Sequence, residues 1–197
     1  MTDRRKFLKI GLAGAAIATI DPLRAGDQYL NKAEIVSQIK KSPIVISTWN
    51  HGIAANEAAW KVLENGGAAI DAVETGVKVT ESDLSNRSVG IGGMPDRDGH
   101  VTLDACIMDE RSRCGSVAFL EGIAHPISVA RAVMDRTQHV MLVGSGAKKF
   151  AMDQGFERIK TPIPEVRKEW KKWRKEHAEE YKRPEINHEN HDTIGML

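Results

Sequence analysis

The order of apolar runs and helical patterns along this chain predicts a layered α/β or α+β sandwich. Three observations carry that expectation. Short apolar runs recur at 43–48, 101–108, 114–119 and 139–143, each of strand length. Helical patterns lie between and after them, so strands and helices have to cover one another's apolar faces. The composition is that of a core-forming chain, 41% hydrophobic and 28% charged over 197 residues, enough for one domain with a sizeable core.

The elements follow in order. Pro43-Ile44-Val45-Ile46-Ser47-Thr48 is an apolar run opened by proline and reads as a buried strand. From about Ala54 to Asn65, Ala55, Ala58, Ala59, Val62 and Leu63 fall on one helical face, and Gly66-Gly67 ends the helix. A second helix runs from about Ala69 to Val79, with Ile70, Val73, Val77 and Val79 inward. Residues 82–100 hold Gly90, Gly92, Gly93, Pro95 and Gly99 and read as loop. Val101–Met108 and Cys114–Phe119 flank the polar Asp109–Arg113, a hairpin signal. Pro126 suits the first turn of a helix reaching about Arg136. His139–Val143 reads as a strand, and Gly144–Gln154 as a helix closed by Gly155. Residues 165–183 are dominated by Glu, Lys and Arg and read as an exposed charged helix. Trp170 and Trp173 pack that helix onto the body; a binding platform is the alternative.

The bulk numbers exclude some functions. A formal net charge of +1 gives no field for nucleic acid, and no basic stripe interleaved with aromatics is present. Two cysteines cannot build a disulfide scaffold; Cys106 and Cys114 straddle the hairpin turn and read either as a pair or as two reduced core thiols. The first residues read as an export signal rather than as fold. A basic front through Lys9 with adjacent Arg4 and Arg5 precedes the apolar stretch Ile10–Ile20, which is too short to span a bilayer. The arginine pair followed by Phe7-Leu8-Lys9 resembles the twin-arginine address. The expectation is a leader over 1–25, a connector over 26–42 and a periplasmic or secreted protein.

The stretch that carries chemistry is His191-Asp192-Thr193-Ile194-Gly195-Met196. Alone, a threonine after an aspartate is usually a cap or strand residue. In company it says more. HDTIGM is preceded in order by Ser47-Thr48-Trp49-Asn50, by Gly66-Gly67 with Asp71-Ala72-Val73-Glu74, and by Arg87-Ser88-Val89-Gly90 with Gly92-Gly93 and Pro95-Asp96. Val101-Thr102-Leu103-Asp104-Ala105 with Ile107-Met108-Asp109 and Pro126-Ile127-Ser128-Val129-Ala130-Arg131 follow. Taken together over 43–197, these pieces resemble the glycosylasparaginases, N-terminal-nucleophile hydrolases.

The resemblance implies an α+β fold, the four-layer αββα sandwich of that superfamily. Of it, this chain would hold the front half: an α-chain over 43–192 and the start of a β-chain at 193–197. It implies that the chain cuts itself between Asp192 and Thr193, with His191 beside the bond. It makes Thr193 the nucleophile that hydrolyses the sugar–asparagine bond of degraded glycoproteins. The chemistry suits the residue: a hydroxyl is a weak nucleophile without a base, and the α-amine of an N-terminal threonine, with a reference pKa of about 7.7–8.0, can be that base. Trp49 would line the substrate pocket and Ser88 would support the threonine. His51 departs from the pattern, in which an apolar aromatic is usual. The implied partners are a small glycosylated asparagine, the chain's own β-chain after cleavage, and a second αβ unit in a homodimer; neither cofactor nor membrane is implied.

His188, Glu189 and His191 lack the spacing of a metalloprotease helix, so no metal site is expected. Gly144-Ser145-Gly146 opens a helix after a strand, but no phosphate-loop lysine follows in register. Family precursors continue well past the threonine, whereas five residues, Thr193–Leu197, follow it here, so a truncated gene, a partial record or a fragment is expected. Two rivals stand beside the leading reading: an isoaspartyl peptidase or asparaginase of the same fold, and an inactive truncated remnant.

Overall fold

A computed structural model of the chain describes residues 43–177 and 193–197. The expected leader, the connector, residues 178–183 of the charged helix, His191 and Asp192 lie outside the described residues. The described residues from Ile44 onward belong to one compact unit.

Helix α1 spans Gly52–Glu64 and buries Ala55 and Ala59. Its end is a Schellman closure: the Gly66 N–H reaches the Leu63 carbonyl and the Gly67 N–H the Val62 carbonyl, both at 2.9 Å. Gly66 takes φ +78 to make that turn, a conformation a Cβ would oppose. Helix α2, Ala69–Glu81, packs antiparallel beside α1 where Gly76 meets Ala55; a Cβ at Gly76 would lie 2.7 Å from the Ala55 carbonyl oxygen. Its inward stripe runs through Ala72, Gly76 and Thr80 and through Val77 and Glu81, at intervals of four. Val79 falls on the opposite side and is exposed, against the expectation that it points inward.

The hairpin forms as the sequence predicts. Strands β1, Thr102–Met108, and β2, Cys114–Glu121, pair antiparallel, and β3, Met141–Val143, joins β2 in parallel, giving the order β1-β2-β3. Asp109 closes the turn: its Oδ1 accepts the N–H groups of Arg111 and Arg113, both at 2.9 Å, and its Oδ2 accepts from Arg113 Nε at 2.7 Å. The register slips once, between Leu103 and Ala105. There Phe119 adopts φ +53 and donates its N–H to Asp104 Oδ1 at 2.7 Å, a β-bulge.

One face of the sheet is covered. Helix α3, Pro126–Arg136, buries Pro126 to Ala130 and Ala132 to Met134 against β1 and β2. Gly115 lets it approach; a Cβ there would overlap the Ala130 carbonyl. Helix α4, Gly144–Asp153, adds Ala147 and Ala151 to the same core, with Val117, Leu120 and Ile123. The opposite face carries Met108, Met141 and Val143, which are 66%, 54% and 55% exposed, and Cys106 and Cys114, both free thiols. The described residues are therefore α+β, with five helices and this small sheet.

Helix α5, Pro164–Glu176, is the charged helix and buries only Val166. It docks on the glycine-rich loop. Glu169 takes Arg87 in a two-point ion pair at 2.8 and 2.9 Å, and Trp170 Nε1 donates to the Asp96 carbonyl at 2.9 Å. Trp170 thus packs as expected, with its ring against Gly99. Among the described residues Trp173 stacks on His177, ring centroids 5.0 Å apart, and is 44% exposed, against the expectation that it packs the helix onto the body.

Candidate active site

The last described segment folds back on the first. Ile46 and Leu197 exchange both backbone hydrogen bonds at 2.9 Å, Ser47 bridges Met196, and the Thr48 N–H reaches the Gly195 carbonyl at 3.0 Å. Thr48 Oγ1 accepts the Gly195 N–H at 2.9 Å and closes the ladder. The apolar run at 43–48 is thus an extended segment paired to the residues after the junction, not a member of the named sheet. Its inward residues carry the alternation: Ser47, Ile194 and Met196 are half-buried, whereas Ile46, Thr48, Gly195 and Leu197 are exposed. Met196 seats its sulfur beside Gly76, which anchors the segment to α2.

Thr193 stands two residues before the last rung of this ladder and lines a cleft of about 580 Å³. The cleft opens between Thr193–Met196 and strand β1, with α2 and the start of α3 as further walls. Ser88 lines the same cleft beside Val89 and Gly90, and Gly90–Gly92 forms a short 3-10 turn within the segment expected to be loop. The Asn86 side chain holds the Ser88 backbone N–H at 2.8 Å. Two of the predicted residues, Thr193 and Ser88, are therefore brought to one cavity.

Trp49 is placed differently. It follows Thr48 at the turn into α1, in the left-handed region at φ +63, and is 47% exposed. It is not among the residues that line the cleft. It sits at the end of the ladder that Thr193 leads into, so the two share a scaffold without sharing the cavity wall. A bulky residue at such a φ is strained by about 1–3 kcal/mol, and strain of this kind gathers at functional sites. His191 and Asp192 lie outside the described residues. Among the described residues no group of three or more His, Cys, Asp or Glu could hold a metal ion, and no helix is long and apolar enough to cross a membrane.

The sequence reading missed Glu81. It lines the cleft, its side chain is 3% exposed, and its pKa is raised, because burial outweighs the hydrogen bonds from His125 and Ile127 and the charges of His125 and Lys78. The signal was present: Val73, Val77 and Glu81 lie four apart, so the inward stripe of α2 ends on a carboxylate. The role of Thr48, whose hydroxyl caps Gly195, depends on the ladder and is not visible in the sequence motif alone.

With that geometry in place, the comparisons are specific. The family model described as asparaginase matches residues 34–197. The chain is 57% identical to the N(4)-(beta-N-acetylglucosaminyl)-L-asparaginase of Elizabethkingia miricola over 99% of this chain and 56% of that protein. It is 47% identical to the protein of the same name from Mus musculus over 58% of this chain and 33% of that one. Against the Rattus norvegicus protein the identity is 37%, over 79% and 53%. The chain belongs to the asparaginase family, on its glycosylasparaginase side. It spans about half the length of the curated relatives it matches.

Proposed function

We propose that this chain is the front part of a self-cleaving amidohydrolase that hydrolyses the bond between N-acetylglucosamine and asparagine in glycoprotein breakdown. The observation that carries the reading is that Thr193 and Ser88, far apart in sequence, line one cleft at the head of a ladder built from the STWN and TIGM segments. The names of the relatives supply the substrate class.

The chemistry proceeds in two stages. First, the Thr193 hydroxyl attacks the Asp192 carbonyl carbon and the peptide amide becomes an ester, freeing the threonine amine. Water then hydrolyses the ester, leaving one chain that ends in the Asp192 carboxylate. His191 helps position this bond. In the second stage the Thr193 hydroxyl, its proton taken by the new α-amine, attacks the side-chain amide carbonyl of the glycosylated asparagine. The tetrahedral oxyanion needs preorganised donors. It collapses with departure of the glycosylamine, which takes the proton, and water releases aspartate from the acyl-enzyme. Trp49, held at the end of the same ladder, packs on the ligand, and Ser88 supports the nucleophile. No cofactor enters these steps.

The same reading carries four further proposals. The fold is completed as a four-layer αββα sandwich by a β-chain that begins at Thr193. The oxyanion donors and the groups that grip the substrate's α-carboxylate and α-amine come from that β-chain. Two αβ units pair. The protein is exported by the twin-arginine-type leader.

An intact mass of the protein from its native source tests the first stage: one species ending at Asp192 and one beginning at Thr193 are expected. Thr193→Ala should leave an uncut, inactive precursor, and activity in an uncut variant would refute the scheme. Hydrolysis rates on glycosylated asparagine and on an isoaspartyl dipeptide test the second stage, and preference for the dipeptide would move the chain to the isoaspartyl peptidases.

A further inference from the structure

The cleft wall contains a buried carboxylate that the two-stage chemistry leaves unused. Glu81 ends α2 at 2% exposure, where an ionisable group is costly unless its oxygens are satisfied. Both are. Oε1 accepts the Ile127 N–H at 2.9 Å, and His125 Nδ1 lies 3.1 Å from Oε2. Ile127 is the second residue of α3, whose first turn leaves its N–H groups without partners inside the helix. Pro126 has no N–H to offer, and His125, at the cap position, makes no capping bond of its own. Glu81 therefore caps α3 from a different helix, and its negative charge suits the positive end of the α3 dipole.

The Glu81 backbone also meets the other side of the cleft. Gly90 runs so close to it, at φ +72, that a Cβ on Gly90 would overlap the Glu81 carbonyl. Gly90 is two residues from Ser88. The end of α2, the start of α3 and the Ser88–Gly90 segment thus meet at one residue, and all three line the cleft that Thr193 lines.

We propose that Glu81 is a positioning residue of this site, its carboxylate clamping the N-terminus of α3 into the wall that faces Thr193. The proposal rests on the reading of Thr193 as nucleophile only for its effect on rate. The clamp is a property of the fold and is read separately.

The test is made in the full-length protein with Glu81→Ala and Glu81→Gln, measuring kcat and KM per titrated active site on glycosylated asparagine, and amide hydrogen exchange on the same samples. Alanine should lower kcat by about 10- to 100-fold with KM within about threefold, because misplacement at the reacting centre acts on the chemical step. Exchange should accelerate in 126–130 but not in 88–94, where Gly90 meets the Glu81 backbone that alanine keeps, nor in α1. Glutamine keeps an acceptor for Ile127 and a polar group beside His125 Nδ1, so it should restore kcat to within about fivefold of wild type and restore protection. Should alanine not fold, Glu81→Asp keeps the charge but withdraws it by one methylene, and should show the same local loss. Wild-type kcat and protection in Glu81→Ala would overturn the proposal. So would accelerated exchange spread evenly over the chain, the mark of a purely structural role. A wild-type protein inactive on the substrate would sink the nucleophile reading alone, and the exchange pattern would then decide this one.

Discussion

Asp109 and Glu81 are both buried carboxylates, yet they answer to pH with opposite signs. The Asp109 carboxyl loses solvation, but the N–H groups of Arg113 and Arg111 and the Arg113 guanidinium more than compensate and hold its pKa below the ordinary 3.8. A folded-state pKa below the unfolded value means that the unfolded chain binds the proton first as pH falls. The stability from Asp109 is therefore present above 3.8 and lost as the pH drops through its folded value. The melting-temperature gap between wild type and Asp109→Asn should accordingly close toward the acid end of a pH series. Glu81 is raised above 4.5 by burial. Its contribution is fully present below that value and declines as the pH rises through its folded pKa. Glu81→Gln should thus gain on wild type as the pH rises, and a gap that moves the other way would mean that the hydrogen bonds, not burial, dominate. Gly90 gives a prediction without charge. Its φ of +72 and the Glu81 carbonyl against its missing Cβ mean that Gly90→Ala adds backbone strain to a steric clash. A loss of roughly 2–4 kcal/mol in chemical denaturation is expected. Of these residues Asp109, between two strand-like runs, and Gly90, in the glycine-rich loop, could be placed from the sequence. Glu81 acts on Ile127, 46 positions away, and periodicity reveals which way a side chain faces but not what it will meet.

At the scale of elements, α5 is the instructive case. Its charge pattern predicts an exposed helix, and its attachment comes down to Val166, Trp170 and the Arg87–Glu169 pair. These are unequal. The ion pair is half-exposed and screened by solvent, so Glu169→Gln should change stability little. Trp170 fills the space left by Gly99 and satisfies the Asp96 carbonyl, so Trp170→Ala should cost about 2–3 kcal/mol and release α5 to proteolysis. Trp173, which among the described residues stacks on His177 and is largely exposed, should tolerate alanine within about 0.5 kcal/mol. Limited proteolysis of the three variants separates them, and equal behaviour of Trp170→Ala and Trp173→Ala would refute this account of the docking. The sequence shows both tryptophans three apart but not which of them meets Gly99, because that depends on where the loop 87–99 lies. The helices α1 and α3 and the hairpin were legible because each carries its own period and its own punctuation: Gly66-Gly67, Pro126 and Asp109. The bulge at Phe119 and the ladder between 46–48 and 195–197 were not, since both are pairings between distant residues.

At the scale of the whole molecule, the two faces of the sheet are unlike. One is filled by α3 and α4, and the other presents Met108, Met141, Val143 and the two thiols. Apolar side chains in a row on a sheet mark a surface that another layer covers, and the four-layer reading supplies that layer as a second sheet. Met141 is a direct probe of it. It lies opposite Ser116 on β3 and is 54% exposed among the described residues, so nothing described here packs it tightly. If this face stays in water, Met141→Lys is a surface change and should shift stability by no more than about 0.5 kcal/mol. If a second sheet closes over it, the same lysine becomes a buried charge without a partner, and roughly 3–5 kcal/mol is lost in the full-length protein. We expect the larger loss, seen as a fall in the denaturation midpoint together with increased binding of an apolar dye. A lysine tolerated at 141 would mean that the apolar face is not interior, and the layered architecture would then have to be completed in some other way.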